Sequence, residues 1–143
     1  MKNANNQGGQ LSNVALYCRV AFFDQYAMEN QRNIVCSFAE QNGYTKHTEY
    51  LDNGFSGISF SRPAFVQMND DIKAGKVDTI IVKSVCRIAR DHSLFYDWSQ
   101  SPDVQDVKII AVDGSHEVDA TLLSIIKSLT YDKTNLQVIL HNL

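Results

Sequence analysis

The 143-residue chain is 44% apolar and 20% charged, which suits one globular domain with a buried core and excludes a disordered chain. Its formal net charge of −3 excludes a surface that attracts nucleic acid over its whole extent, so any contact with DNA must be local. The chain has no apolar run long enough for a membrane span, and its polar start lacks the apolar block of a signal peptide. The three cysteines and the four histidines have no metal-ligand spacing. We therefore expect a cytoplasmic protein with no membrane contact, no metal and no other cofactor.

The apolar pattern predicts strands and helices that alternate along the chain. In chain order they are a strand over 14–20, a helix over 26–42, a strand over 44–51, a helix over 63–74, a strand over 79–82, a short helix over 93–99 and a strand over 107–112. Residues 52–57, with two glycines, are predicted to form a loop. Such alternation predicts an α/β fold with a mostly parallel sheet of four or five strands and helices on both faces.

The two ends of the chain are interpreted separately from this domain, which we place at 14–118. Residues 1–13 are rich in Asn, Gln and Gly and are predicted to be a disordered tail. Residues 119–143 are predicted to be a long C-terminal helix for oligomerisation, with leucines at seven-residue intervals: Leu122, Leu129, Leu136 and Leu143. The alternative is that this helix packs on its own sheet.

Arginines follow the strands of the predicted sheet. Arg87 and Arg90 come directly after the strand over 79–82, three residues apart, so a helical turn would bring them to one side. Arg19 and Arg62 also lie at a strand end or in a loop. Ligand sites of open α/β sheets lie beyond the carboxyl ends of the strands, and a guanidinium group binds phosphate through two N–H groups. This pattern predicts a polyanion site, unless the arginines pair with surface carboxylates.

Several short motifs occur along residues 14–112. They are Tyr17-Cys18-Arg19-Val20, Glu29-Asn30-Gln31-Arg32, Phe38-Ala39-Glu40-Gln41-Asn42-Gly43-Tyr44, Asp52-Asn53-Gly54-Phe55-Ser56-Gly57, Arg62-Pro63-Ala64-Phe65 and Val82-Lys83 through Arg87-Ile88-Ala89-Arg90-Asp91. In this order and near this spacing they resemble the catalytic domain of the serine recombinases, the resolvase–invertase group and its large transposon-encoded relatives. The resemblance implies a resolvase-like fold.

The resemblance also implies a chemistry. In that family a serine attacks a DNA phosphodiester and forms a phosphoserine link, and the strands are rejoined without external energy or an obligatory metal. By resemblance, Arg19, Arg62, Arg87 and Arg90 would bind the phosphate and its transition state. Gln25, Gln31, Asp52 and Ser56 would shape the site or hydrogen-bond within it.

The chain departs from the family pattern at the nucleophile. Ala21 stands where the family has its serine, and a methyl group cannot attack phosphorus, so we expect a catalytically inactive domain. Phe22 and Phe23 make this loop more apolar, and Cys86 replaces the usual serine or aspartate before Arg87. Cys86 is the alternative nucleophile nearest the arginines, but a lone cysteine beside a core strand is usually packing. The joint departures favour a naturally degenerate relative over a deliberate Ser→Ala variant.

Three functional interpretations follow. The first is the resolvase-like domain of a site-specific DNA recombinase that cannot cut DNA and that, alone, binds it weakly. The second is a non-catalytic dimerisation or regulatory module, acting as a homodimer or in a hetero-oligomer with an active recombinase. The third is an unrelated doubly wound domain for a small phosphorylated ligand, although the chain lacks the Gly-x-Gly-x-x-Gly fingerprint.

Overall fold

A computed structural model of the chain describes residues 13–116 and residue 125. Its elements are, in chain order, β1 (Val14–Val20), α1 (Gln25–Gln41), β2 (His47–Asn53), α2 (Pro63–Lys73), β3 (Thr79–Val82), a 3-10 turn (Val85–Arg87), α3 (His92–Ser99) and β4 (Lys108–Ala111). The predicted alternation of strands and helices is confirmed.

The described strands form one four-stranded sheet in the order β2-β1-β3-β4, and every neighbouring pair is parallel. The mostly parallel α/β sheet predicted from the sequence is therefore confirmed. Because all the strands run in the same direction, their carboxyl ends lie along one edge. Arg19, near the end of β1, and Arg62, Arg87 and Arg90, in the segments that follow β2 and β3, belong to this edge.

Helices cover both faces of the sheet, as predicted. Met28, Val35 and Ala39 of α1 pack with Leu16 and Cys18 of β1 on one face. On the other face, residues of α2 and α3 pack against the alternate residues of the strands; they include Phe65, Met68, Ile72, Phe95, Trp98, Ala15, Tyr17 and Ile80. Every residue of β1 is buried because the strand is central and covered on both sides.

The second strand lies further along the chain than predicted. It runs over His47–Asn53 rather than 44–51. Tyr44 takes part in the C-terminal cap of α1 instead. Gly43 has a φ of 84°, and the next N–H, that of Tyr44, donates to the carbonyl of Ala39. At its other end the strand stays paired with β1 up to Val20, so Asp52 and Asn53 belong to β2 and not to the following loop.

The two terminal predictions fall largely outside the described residues. Residues 1–12 of the predicted tail are not described, whereas Asn13 accepts a backbone hydrogen bond from Asp78. The predicted helix over 119–143, with its leucines, also lies outside, apart from Ile125, which is helical and 53% exposed. Across the described ranges, no helix has both the length and the apolar character needed to cross a bilayer.

Candidate functional site

The candidate site lies at the carboxyl edge of the sheet, where β1, β2 and β3 end. Arg19 is the next-to-last residue of β1 and is 2% exposed. Its Nε and Nη2 donate to the carbonyls of Arg87 (2.9 Å) and Cys86 (2.8 Å) in the turn after β3. Its Nη1 donates to the carbonyl of Phe55 (2.9 Å) in the loop after β2. Arg19 thus connects the loops that leave the two strands on either side of β1.

Arg62, just before α2, reaches the same turn from the opposite side. Its Nη1 donates to the carbonyl of Arg87 (3.1 Å), and its Nη2 donates to the carbonyl of Ile88. The guanidinium carbon lies 4.4 Å from the ring centroid of Phe65 and 5.6 Å from those of Tyr17 and Phe60. Its Nε is buried without a hydrogen-bond partner among the described residues. Aromatic faces and backbone carbonyls therefore surround this buried cation.

Arg87 and Arg90 are the more accessible arginines of the site. Arg87 is half-buried, and its Nη1 donates to the carbonyl of Arg19 at 3.1 Å. Arg90 is exposed, and its backbone N–H donates to the carbonyl of Gly57 at 3.1 Å. The predicted helical turn covers only residues 85–87, and the chain leaves it before Arg90.

Gly57 brings Arg19 and Arg90 together. A Cβ atom added at Gly57 would lie 2.6 Å from Cγ of Arg90 and 2.7 Å from Nη2 of Arg19. Both side chains therefore pack directly on the glycine backbone, where no larger residue fits. With the contacts of Arg62 and Arg87, this packing places the arginines singled out in the sequence in one cluster.

The cluster carries positive charge without a carboxylate partner. The ion pairs found within residues 13–116 join Arg32 to Glu29 and Glu49, on α1 and β2. None joins a cluster arginine to a carboxylate within 4.0 Å in this part of the chain. Burial lowers the pKa of Arg19, and the neighbouring Arg62 lowers it further. Burial also lowers the pKa of Arg62. An anion bound here would relieve this repulsion.

Asp52 supports the cluster from within the core. It is 1% exposed, and its carboxylate accepts hydrogen bonds from the Tyr17 hydroxyl (2.7 Å), the Ala64 N–H (2.9 Å) and the Phe65 N–H (3.0 Å). The last two are N–H groups of the first turn of α2, so Asp52 caps the helix that begins beside Arg62. Burial raises the pKa of Tyr17, which keeps its hydroxyl a donor.

Gln31 holds the end of β1. Its Oε1 accepts from the backbone N–H of Arg19, and its Nε2 donates to the carbonyl of Arg19, both at 3.0 Å. The last β1 residue paired with β3 is Tyr17, so these bonds stabilise the strand beyond that pairing. The side chain is 3% exposed.

Gln25 and Ser56 lie on the exposed side of the site. Gln25 accepts from Nδ2 of Asn53 at 3.2 Å, and Oδ1 of Asn53 accepts from the Asp24 N–H at 2.9 Å. Ser56 accepts a local hydrogen bond from the N–H of Ile58 at 3.3 Å. Their hydrogen bonds are therefore to Asn53 at the end of β2 and to Ile58 in the following loop, and not to the arginines.

Ala21 is half-buried and follows the last residue of β1. The carbonyl of Val20, just before it, accepts from the N–H groups of Gly54 (2.9 Å) and Phe55 (3.0 Å). The Cα atoms of Ala21 and Arg19 are at most about 7 Å apart, since two residues separate them along the chain. The guanidinium group of Arg87 is hydrogen-bonded to the carbonyl of Arg19, so the backbone at Ala21 lies near this arginine of the cluster.

Sequence reasoning missed Asn53, Gly57 and Phe60, and it misjudged Cys86. In the sequence Gly57 was interpreted only as part of a loop, whereas it is buried against two arginines. Cys86 is exposed and not packed, because the short turn buries Val85 instead, and its Sγ lies 3.0 Å from Oγ of Ser84. The described residues contain no group of three or more His, Cys, Asp or Glu side chains that could hold a metal ion.

A comparison with protein families decides the relationship. The family described as "Resolvase, N terminal domain" matches residues 14–136 of the chain. The chain belongs to the resolvase family. None of the curated proteins compared with it matches.

Solved structures of serine recombinases share the fold of this resolvase domain. The N-terminal catalytic domain of TP901-1 integrase is 24% identical, with a TM-score of 0.68 over 87% of this chain and 98% of that one. A resolvase family site-specific recombinase from Streptococcus pneumoniae is 28% identical, with a TM-score of 0.60 over 90% and 97%. The C-terminal catalytic domain of ISC1926 TnpA, an IS607-like serine recombinase, is 26% identical, with a TM-score of 0.61 over 80% and 81%.

Proposed function

We propose that this resolvase domain binds DNA through backbone phosphates at its arginine cluster and that it does not cleave the strand. The observation that carries the proposal is the arginine cluster at the carboxyl edge of the sheet, near Ala21. Its guanidinium groups have no carboxylate partner within residues 13–116. The related solved structures include a site-specific recombinase and a serine recombinase.

The arginines divide the work in this proposal. Arg87 and Arg90 are the accessible members, so they contact the phosphate oxygens. Arg19 and Arg62 are buried and use much of their hydrogen-bonding capacity on the carbonyls of residues 86–88. They hold the turn that carries Arg87 and add fixed positive charge behind it, which favours an anion without any metal ion.

Strand cleavage requires a nucleophile that this chain lacks at the position of the family serine. A covalent phosphoserine link forms when a hydroxyl oxygen attacks phosphorus and the bond to the leaving sugar oxygen breaks. The methyl group of Ala21 has no oxygen and no lone pair, so this route is closed and not merely slow.

The test is the variant Ala21→Ser. Wild-type protein and the variant are incubated with a supercoiled plasmid that carries the DNA flanking the gene of this chain, and covalent protein–DNA adducts are separated on a denaturing gel. We expect no adduct with the wild type; the absence of an adduct with Ala21→Ser too would agree with natural degeneration, whereas Ala21→Ser would form an adduct if the alanine were a single deliberate replacement. The double variant Ala21→Ser/Arg87→Ala is the control and should lose it. An adduct with the wild type would contradict the proposal.

A second candidate function rests on the leucines at positions 122, 129, 136 and 143, whose spacing is typical of helix–helix contacts. In this alternative the chain pairs with an active recombinase and regulates it, or forms a homodimer. Size-exclusion chromatography with light scattering measures the mass of the full chain and of Leu129→Glu. This function would be ruled out if the chain is monomeric at high concentration and also does not bind an active recombinase.

A further inference from the structure

Exposed aromatic side chains follow β1 directly. Phe22 is 87% exposed, Phe23 is 75% exposed and Tyr26 is 79% exposed. Large apolar side chains that are grouped on a protein surface generally mark a binding site. We call Phe22, Phe23 and Tyr26, together with Arg87 and Arg90, the aromatic–arginine face.

One loop connects the two parts of this face. A Cβ atom added at Gly54 would lie 3.3 Å from the backbone nitrogen of Phe23, and one added at Gly57 would lie 2.6 Å from Cγ of Arg90. The Cα atoms of these glycines are at most about 11 Å apart, since they are three residues apart along the chain. The aromatic side chains and the accessible arginines therefore lie within reach of a few linked nucleotides.

We infer that the aromatic–arginine face binds unpaired nucleotides of a DNA strand, with bases stacked on the aromatic rings and phosphates held by Arg87 and Arg90. This inference rests on the proposed function, which supplies the phosphate site. A positive groove with aromatic side chains is the general design of single-strand binding, because every base has a π face. In a duplex both faces of each base are already stacked, so the rings can engage only a melted or single strand.

The charges favour nucleic acid over a protein partner. Arg87 and Arg90 have no carboxylate partner within residues 13–116. Asp24 lies between the aromatic residues, but its carboxylate accepts from the Ala27 N–H as the N-cap of α1, where the helix dipole stabilises its charge. Asp91, beside Arg90, likewise caps α3 through Ser93 and Leu94. Both carboxylates are engaged as helix caps, so the charged side chains of the face that can contact a DNA phosphate are those of Arg87 and Arg90.

The experiment compares single-stranded and duplex DNA. Fluorescence anisotropy measures the affinity of the full chain for a labelled 12-nucleotide oligothymidylate and for a duplex of equal length, in low salt. The variant Phe22→Leu/Phe23→Leu keeps apolar bulk but removes the rings. We expect this variant to weaken the binding of the single strand by at least about fivefold and to leave duplex binding unchanged. The fivefold change corresponds to the lower limit of the free energy of stacking of one base on an aromatic ring.

Two controls define the result. Val66→Ala changes an exposed apolar residue on α2 and should alter neither affinity. Arg90→Ala should weaken the binding of both oligonucleotides, because it removes a phosphate contact. Equal urea midpoints for all variants show that the loop changes leave the fold intact. Phe23→Trp adds a direct readout. If thymines stack on the introduced indole ring, the single strand should quench the fluorescence of this variant more than that of the wild type, whose tryptophan is Trp98.

Several outcomes would overturn the inference. If Phe22→Leu/Phe23→Leu binds the single strand as the wild type does, or loses affinity for single strand and duplex equally, the rings do not stack on unpaired bases. The proposed function still stands in that case if Arg90→Ala weakens the binding of both oligonucleotides. If light scattering shows self-association that the leucine variant loses while its DNA affinity is unchanged, the face is a protein interface. If the wild type binds neither oligonucleotide, the proposed function fails as well.

Discussion

At the scale of single residues, Arg62 shows how the protein keeps a charge in its core. The guanidinium group is 1% exposed, yet no carboxylate of residues 13–116 lies within ion-pair distance. Two backbone carbonyls accept its Nη protons, and the Phe65 ring lies 4.4 Å from it. These contacts replace part of the water that the cation loses, because carbonyl dipoles and ring quadrupoles both favour positive charge.

Burial lowers the pKa of Arg62, and the charge of the carboxylate of Asp52 opposes part of this shift. We expect Asp52→Ala to lower the free energy of unfolding by about 3 kcal/mol, because buried donors of Tyr17, Ala64 and Phe65 lose their acceptor. Asp52→Asn keeps one acceptor oxygen and should cost less. Urea denaturation measures both.

The control for this prediction is Asp70→Ala, which removes an exposed carboxylate from α2, the helix that Asp52 caps. It should change stability by less than about 0.5 kcal/mol. Equal stabilities of Asp52→Ala and Asp70→Ala would mean that the cap contributes nothing and that α2 is held by its apolar face alone.

At the scale of elements, the loop over 54–57 connects β2 to the arginines. The N–H groups of Gly54 and Phe55 donate to the carbonyl of Val20, and the carbonyls of Phe55 and Gly57 accept from Arg19 and Arg90. The loop is therefore bonded to the end of β1 at one side and to the turn after β3 at the other. Its backbone, more than its side chains, sets the spacing of the cluster.

This role makes Gly57→Ala a test of the cluster geometry. The new methyl would overlap Cγ of Arg90 and Nη2 of Arg19, so both arginines must move. We expect the affinity for duplex DNA to fall by at least about fivefold. Gly43→Ala is the matched control: it forces an alanine to a φ of 84° but meets no atom within 4 Å.

Gly43→Ala should lower stability by about 1 kcal/mol and leave DNA binding unchanged. Anisotropy and urea denaturation on both variants separate the two effects. An unchanged affinity for Gly57→Ala would mean that Arg19 and Arg90 do not need their observed positions to bind DNA.

At the scale of the whole molecule, a local positive cluster stands against a net charge of −3. Acidic residues elsewhere on the surface repel a DNA strand, so affinity should depend on the few phosphates that reach the cluster. Binding by this chain alone should therefore be weak, sensitive to salt and nearly independent of base sequence.

The salt dependence of duplex binding gives a count of those phosphates. With Arg87 and Arg90 as the contacting residues, log K should fall with log salt concentration at a slope of about −2, and Arg90→Ala should reduce the slope by about 1. Anisotropy titrations at several salt concentrations measure it. A slope of about −4 would show that Arg19 and Arg62 also contact phosphate, against the division of roles proposed above.

The sequence by itself determined the order of the elements and the edge of the sheet at which the arginines lie. Apolar runs such as Thr79–Val82 and stops such as Gly43 are local signals, and each depends on residues that are close in the chain. Parallel strands place all their carboxyl ends on one edge, so the positions of Arg19 and Arg87 after or near strand ends were sufficient to predict a shared location.

Only the tertiary structure decided which residues face an anion and which support the site. Asp52 and Gln31 appeared as site-shaping residues, but their partners, Ala64 and Arg19, lie 12 residues away in the chain. Burial of Arg19 and Arg62 and the packing of Gly57 likewise depend on contacts between loops that leave different strands. Hydrogen bonding and close packing between distant segments leave no periodic pattern in a sequence, whereas strand order and helix ends do.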